Sequence, residues 1–185
     1  MEQKIKINCV IGIDPGANGG IAVYVPDRPV NVAKMPKDIR DLRDFLDYYK
    51  DENPIVFLEK LSIRPDDVMG EGDAKNLGKL YRIQKMMANF EQLKAIIESE
   101  GIPYVMVHPL SWQTKLKLRI RGVQEEKSAR KERYKQAAMS LYPGAKITLW
   151  SADALLIMHF GRWALVNDPK WVKSNLPERE YQKLF

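Results

Sequence analysis

The sequence is poor in the residues that form disulfide frameworks and zinc sites, with one cysteine and two histidines among 185 residues. The single cysteine, Cys9, excludes an internal disulfide and a cysteine-rich zinc site, and it fits the reducing cytosol. His108 and His159 are far apart and lack the spacing of metal ligands. We therefore expect a cytoplasmic protein whose site uses other side chains.

Long apolar runs are also missing. No run reaches the roughly 18–20 residues that a membrane span needs, and the N-terminal segment has no apolar stretch followed by a small-residue cleavage site, so no membrane association and no secretion signal are expected. The GxxxxGK[ST] phosphate loop and the serine nucleophile elbow are absent as well. With 45% hydrophobic and 29% charged residues, the composition suits one compact domain.

The positive charge is concentrated in one segment. The net charge is +6, and between positions 115 and 135 nine basic residues accompany three acidic ones, while the rest of the chain is balanced. This distribution favours a polyanionic partner, most often nucleic acid, although a solvated helix face with paired charges would give the same pattern. The candidate DNA-binding residues are Lys115, Lys117, Arg119, Arg121, Lys127, Arg130 and Lys131.

The order of predicted elements indicates an α/β fold with a mixed sheet. Strand-like segments at 5–14, 21–25 and 30–35 follow one another closely, as in an antiparallel meander. Later strands at 55–61 and 103–108 are separated by helices, so they must pair in parallel through crossover connections. A polar loop is predicted over 62–74. Helices are predicted over 38–50, 75–100, 111–118, 124–142 and 152–165, and Pro109 is an alternative start for the third of them.

The predicted helix over 75–100 has an apolar face wider than one stripe. Such a face either packs on a sheet and a partner chain together or lies deep in the core. Asp38 and Ser151 are expected to cap the first and the last helix.

Three acidic residues stand in apolar surroundings. Asp14 ends the first strand on the face opposite its isoleucines, Glu59 ends an apolar strand, and Asp153 lies in the first turn of the last helix. Singly, they can open a turn, pair with a basic neighbour or complement a helix dipole. Jointly, two strand ends and a helix start can meet at one sheet edge. Clustered carboxylates there would suit Mg²⁺ or Mn²⁺, and two such ions support phosphodiester hydrolysis.

Around these acids the sequence resembles the RuvC-type Holliday junction resolvases, in particular the RuvC-like crossover-junction endonucleases of phages and bacteria. The motifs are GIDPGANGGIAV at 12–23, FLEKL at 57–61 and SADALLIMHFGRW at 151–163. The segment 77–113 also resembles the long helix, strand and Pro–Trp turn of that group. The ordered set is more specific than any one motif. We expect a nuclease domain over 1–166 and a C-terminal tail over 167–185.

The resemblance implies a ribonuclease-H-like fold with a five-stranded sheet, and a homodimer that uses the long helix as its interface. It implies an endonuclease that resolves four-way DNA junctions in a bacterial or phage-infected cell. On residue matching, Asp14, Glu59 and Asp153 fall on the family's catalytic metal ligands, which bind Mg²⁺ or Mn²⁺, with two ions expected in each site.

The sequence departs from the family at one position. A fourth ligand, Asp or His, usually precedes the last acid by a few residues, whereas 148–151 here reads Thr-Leu-Trp-Ser. Three carboxylates with water, an acid from elsewhere, or reduced activity are the alternatives. A catalytically silent junction-binding protein therefore stays open. An ATP-binding protein of the actin/sugar-kinase type is a further alternative, but the chain lacks a second Asp-Gly phosphate loop.

Overall fold

The computed structural model describes residues 7–16, 18–61, 63, 73–119, 122 and 125–177. The strands are β1 (Cys9–Asp14), β2 (Gly20–Tyr24), β3 (Asn31–Lys34), β4 (Pro54–Glu59) and β5 (Tyr104–Val107). The helices are α1 (Ile39–Asp47), α2 (Asp73–Ser99), α3 (Pro109–Lys115), α4 (Lys127–Leu141), α5 (Ala152–Asn167) and α6 (Pro169–Asn175). A 3₁₀ turn, Lys50–Glu52, precedes β4.

The five strands form one mixed sheet in the order β3-β2-β1-β4-β5. The pairs β1–β2 and β2–β3 are antiparallel, and the pairs β1–β4 and β4–β5 are parallel. This confirms the predicted meander followed by parallel strands. Ile13 lies opposite Leu58 in the parallel pair. Asp14 and Glu59 are the next residues, so both stand at the carboxyl edge of neighbouring strands.

Helices cover both faces of the sheet, and β1 shows why. Its odd positions, Cys9, Ile11 and Ile13, belong to the core shared with α1 and α2, and Cys9 is fully buried there. Its even position Val10 belongs to the core shared with α4, α5 and α6. Because side chains alternate along a strand, Asp14 is on the α5 side.

Gly12 allows α5 to lie directly on β1. A Cβ atom at this position would stand 2.3 Å from both the carbonyl oxygen of Ala154 and the amide nitrogen of Met158. No side chain fits in that space, since nonbonded carbon atoms separate by about 3.5–4.0 Å at best contact. The glycine therefore brings the first turn of α5 against the end of β1.

Several element boundaries differ from the prediction for local reasons. Asp38 caps α1 as expected, accepting from the amide of Arg40 at 2.8 Å, but the helix ends at Asp47 rather than at 50. The short helix begins at Pro109, one of its two predicted starts, where His108 Nδ1 accepts from the amide of Leu110 at 3.2 Å, and it ends at Lys115 rather than at 118. The basic helix spans 127–141 rather than 124–142.

Ser151 is the N-cap residue of α5, as predicted, and its carbonyl accepts from the amide of Leu155 at 3.0 Å, but its side chain makes no capping hydrogen bond. Its hydroxyl accepts instead from the amide of Thr148 at 3.0 Å and lies 3.2 Å from the Thr148 hydroxyl. The Ser151 side chain therefore stabilises the turn 148–151 that precedes α5.

The long helix α2 is buried along only part of its length. Phe90, Leu93 and Ile97 pack in the core beneath the sheet, whereas Leu77 and Tyr81 are exposed. The prediction of a helix lying wholly deep in the core is therefore excluded. Most of the predicted loop 62–74 falls outside the described residues, and α2 begins at Asp73.

The chain continues past α5 into packed structure. Val172 of α6 is fully buried, and Leu176 is buried in the same core. Residues 178–185 lie outside the described part of the chain. Among the described helices, none combines the length and apolar character needed to cross a bilayer.

Candidate active site

Asp14, Glu59 and Asp153 line one groove of about 2570 Å³. Burial, together with the charges of Glu59 and Asp153, raises the pKa of Asp14 to about 8, and Lys131 opposes the rise. Burial raises the pKa of Glu59 to about 7, with Asp153 acting in the same direction. The charge of Asp153 thus acts on the pKa of both Asp14 and Glu59. The three acids line the same groove, and their role as metal ligands stays a prediction.

Asp153 combines one satisfied and one unsatisfied oxygen. Lys131 Nζ donates to Asp153 Oδ2 at 2.6 Å, while Oδ1 is buried and has no hydrogen-bond partner among the described residues. Burial raises the pKa of this carboxyl, and Lys131 and Arg130 oppose the rise. A buried carboxylate oxygen without a partner is costly, so this atom is the one in the groove that would gain most from a bound cation.

Glu59 is oriented by a buried tryptophan. Trp112 Nε1 donates to Glu59 Oε1 at 2.9 Å, which lowers the pKa of the carboxyl against the effect of burial. The indole is fully buried and meets Tyr134 edge-on, with ring centroids 5.3 Å apart. Trp112 thus fixes one oxygen of Glu59 in place.

The donor set fits a divalent cation, on the condition that the ammonium of Lys131 leaves Asp153. Within the described ranges, no three carboxylate, imidazole or thiol groups already stand at ligand geometry around a common point. The ammonium of Lys131 occupies the cationic position beside Asp153. A hard divalent ion would replace that ammonium, engage the unpartnered oxygen and relieve the repulsion among the acids. The stretch 148–151 contains no acidic residue and so adds no carboxylate. Its two hydroxyls lie within hydrogen-bond distance of each other.

The candidate basic residues divide between two surfaces. Arg119, Lys127, Arg130 and Lys131 line the groove that holds the acids. Lys115 and Lys117 border a separate shallow depression on α3, and the ammonium of Lys115 lies 3.6 Å from the ring centroid of Trp163. Arg121 lies outside the described residues.

Sequence reasoning missed basic residues that line the groove from other elements. Arg82 and Lys85 of α2 and Lys37 before α1 stand there too. Lys37 stands beside an acidic residue in the sequence, but Arg82 and Lys85 belong to the stretch 74–90, which holds four basic residues and no acidic one. A count of charge along the predicted long helix would have identified this second basic segment. The Pro–Trp motif pointed to the segment of Trp112, but not to its contact with Glu59.

The raised pKa values of Asp14 and Glu59 predict that the metal-free protein loses stability as pH rises. The raised folded-state pKa values of Asp14 and Glu59 mean that the folded state binds more protons than the unfolded state between about pH 4 and pH 8. The free energy of unfolding therefore falls over this range. In EDTA we expect the melting temperature to be at least about 2–4 °C lower at pH 8.5 than at pH 6, equivalent to about 1 kcal/mol.

Thermal melts across this pH range test the prediction, with Asp14→Asn as the matched variant. Removing one of the crowded carboxylates should flatten the profile, and Mg²⁺ should raise the melting temperature of the parent protein most at high pH. A parent profile that rises between pH 6 and pH 8.5 would contradict the electrostatic description.

No family model matches the sequence, and no curated protein does. The fold is similar to two solved structures of RuvC from Thermus thermophilus, one of them in complex with a Holliday junction substrate. Their TM-scores are 0.52 and 0.50 at 16% sequence identity, covering 85% of this chain and 94% and 95% of the RuvC chains. The resemblance to RuvC found in the motifs is confirmed at the level of the fold. The chain has the ribonuclease-H-like fold of RuvC.

Proposed function

We propose that this protein is a divalent-metal-dependent endonuclease that cuts four-way DNA junctions. One observation carries the proposal: the buried carboxylate of Asp153 and the partly buried carboxylates of Asp14 and Glu59 line one groove that basic side chains also line. Acidic residues hold the reaction centre of such enzymes, and basic residues hold the phosphates around it. The fold shared with RuvC, whose structure includes a Holliday junction, supports branched DNA as the substrate.

Each residue of the site has a distinct role in this proposal. Asp14, Glu59 and Asp153 would hold Mg²⁺ or Mn²⁺, and the chemistry that two bound ions supply is water activation and stabilisation of the departing 3′ oxygen. Trp112 is a positioning residue that keeps Glu59 Oε1 in place. Lys131, released from Asp153, would be free to bind a phosphate oxygen of the DNA.

The groove lysines and arginines predict the salt dependence of junction binding. Replacing Lys127 and Arg130 by Ala should weaken binding and lower the slope of log Kd against log salt by about 2, because each phosphate contact contributes about 0.9. The matched control is the Lys115 and Lys117 pair, which borders a different surface. Filter binding in EDTA measures both slopes. An unchanged slope in the groove variant, or an equal loss in the control, would locate the DNA elsewhere.

We also propose that two chains associate through the exposed part of α2, since a two-fold dimer matches the symmetry of a junction. Leu77, Leu80 and Tyr81 are the exposed apolar side chains there. Leu80→Glu should yield a monomer by light scattering, because a buried unpaired charge opposes association. Val166→Glu, at an exposed apolar position on α5, should stay dimeric. A monomeric parent protein at micromolar concentration would contradict this proposal.

A comparison of substrates tests the proposed function. The protein is incubated with Mg²⁺ and either a labelled immobile four-way junction or a linear duplex of one arm's sequence. The junction should be nicked and the duplex left intact. Equal cutting of both would remove junction specificity. Hydrolysis of ATP without DNA would favour the actin/sugar-kinase alternative.

The ion pair between Lys131 and Asp153 favours a second candidate, a protein that binds junctions without cutting them. The ammonium stands where a cation is needed, and 148–151 offers no fourth carboxylate. This candidate predicts tight junction binding in EDTA and no products with Mg²⁺ or Mn²⁺. The two candidates therefore differ in cleavage and agree in binding.

A further inference from the structure

An exposed tryptophan borders the acidic centre. Trp150 is 43% exposed, as is its neighbour Leu149, and both line the groove that contains Asp153. The other exposed large aromatic side chains in the described ranges, Tyr48 and Tyr81, are not part of that lining. An indole left open to water loses the stabilisation that burial would give it. A ligand that covered this ring would therefore gain the free energy of burying it.

The backbone that carries Trp150 is held rigidly. Its amide donates to Thr148 Oγ1 at 3.3 Å, and the amide of Ala152 donates to the Thr148 carbonyl at 3.1 Å. The Trp150 carbonyl rests on β2, where a Cβ at Gly20 would come within 3.0 Å of it. A turn fixed in this way presents the ring with little loss of conformational entropy when a ligand binds.

The charges around the ring indicate what kind of ligand fits. The ammonium of Lys34 lies 5.1 Å from the Trp150 ring centroid, and no acidic residue pairs with Lys34 in the described part of the chain. Arg130 and Lys127 line the same groove. A ligand with an apolar plane and a negative charge close to it complements this pair, and a nucleotide has both.

We infer that Trp150 stacks on a nucleobase close to the scissile phosphate, while Lys34 contacts the phosphate of the same nucleotide. This inference rests on the proposed function and adds a specificity-determining contact to it. Bases at the branch point of a junction have already lost part of their stacking, so turning one toward the ring costs less there than within a duplex. The contact thus favours a branch point over continuous duplex.

A binding cycle in EDTA tests the stacking. The probe is a labelled immobile four-way junction, together with a series in which one nucleotide within two positions of the branch point is an abasic analogue. Trp150→Ala should raise the Kd for the intact junction about 5- to 150-fold, the range of one lost base–aromatic stack. Trp150→Phe should retain most of the affinity. Tyr48→Ala, an exposed aromatic outside the groove, should bind like the parent.

The abasic series distinguishes stacking from a general effect on the turn. At one position, the abasic analogue should raise the Kd of the parent protein. At that same position it should leave the Kd of Trp150→Ala unchanged, because the stacking contact is already lost in that variant. The inference would be overturned if the losses of affinity from the abasic analogue and from Trp150→Ala were additive at every position. It would also be overturned if Trp150→Ala bound the intact junction as tightly as the parent does. A parent protein that binds the junction no better than a duplex would instead overturn the proposed function.

Discussion

Asp153→Asn is expected to cut four-way junctions at least about 100-fold more slowly than the parent while remaining folded and able to bind them. A neutral amide binds a hard cation more weakly than a carboxylate and no longer offsets its charge. The substitution also removes a like charge from beside Asp14, so the metal-free protein should not lose much stability. Single-turnover cleavage in Mg²⁺ and a thermal melt measure the two effects.

The matched control is Asp168→Asn. Asp168 also begins a helix, where it accepts from the amide of Trp171 at 3.2 Å, and Asn serves as well in this role. If Asp153 acted only on the helix dipole, the two variants would behave alike. Asp14→Asn and Glu59→Gln should match Asp153→Asn, and double variants should lose little more, because residues that act as a unit are not additive. Near-parental cleavage by Asp153→Asn would remove it from the site.

Gly12→Ala is expected to lower the free energy of unfolding by about 3 kcal/mol or more. The added methyl group meets backbone atoms of Ala154 and Met158, which cannot rotate away as a side chain does, so α5 must move off β1. Overpacking of a core typically costs about 1–3 kcal/mol, and a backbone clash belongs at or above the upper end. For a chain of this size the loss corresponds to at least about 6–12 °C in melting temperature.

Gly78→Ala provides the control for this variant. A Cβ at Gly78 in α2 meets nothing within 4 Å, and Ala is the better helix former by about 0.5–1 kcal/mol. This variant should be as stable as the parent or slightly more stable. Because the first turn of α5 carries Asp153, Gly12→Ala should also slow cleavage under conditions where it is still folded. A fully stable Gly12→Ala would contradict the close approach of β1 and α5.

The strands and the position of the acids could be predicted because their causes are local. Alternation along β1 separates the isoleucines from Asp14, and crossover connections force β4 and β5 to pair in parallel. From these two facts, the placement of Asp14 and Glu59 at one edge follows. The periodicity of the sequence is therefore enough to predict which strand ends carry the two acids.

The contacts that adjust the site could not be predicted, because they join distant residues. Trp112 reaches Glu59 across 53 positions and Lys131 reaches Asp153 across 22, and no local pattern encodes either pair. The basic segment from 115 to 135 looks continuous in sequence, yet the fold directs Lys115 and Lys127 to different surfaces. Ser151 is the N-cap residue that its pattern indicates, but its hydroxyl bonds to Thr148 rather than to an amide of the helix.

The central claim is that the three carboxylates form a metal-dependent nuclease centre. The most direct test adds Mg²⁺ to the parent protein already bound to a labelled four-way junction in metal-free buffer, with each strand followed separately. We expect no products before the addition and, after it, nicks in two opposing strands with ends that ligase can reseal. A junction that stays bound and uncut in both Mg²⁺ and Mn²⁺, or one that is cut equally well in EDTA, would contradict the claim.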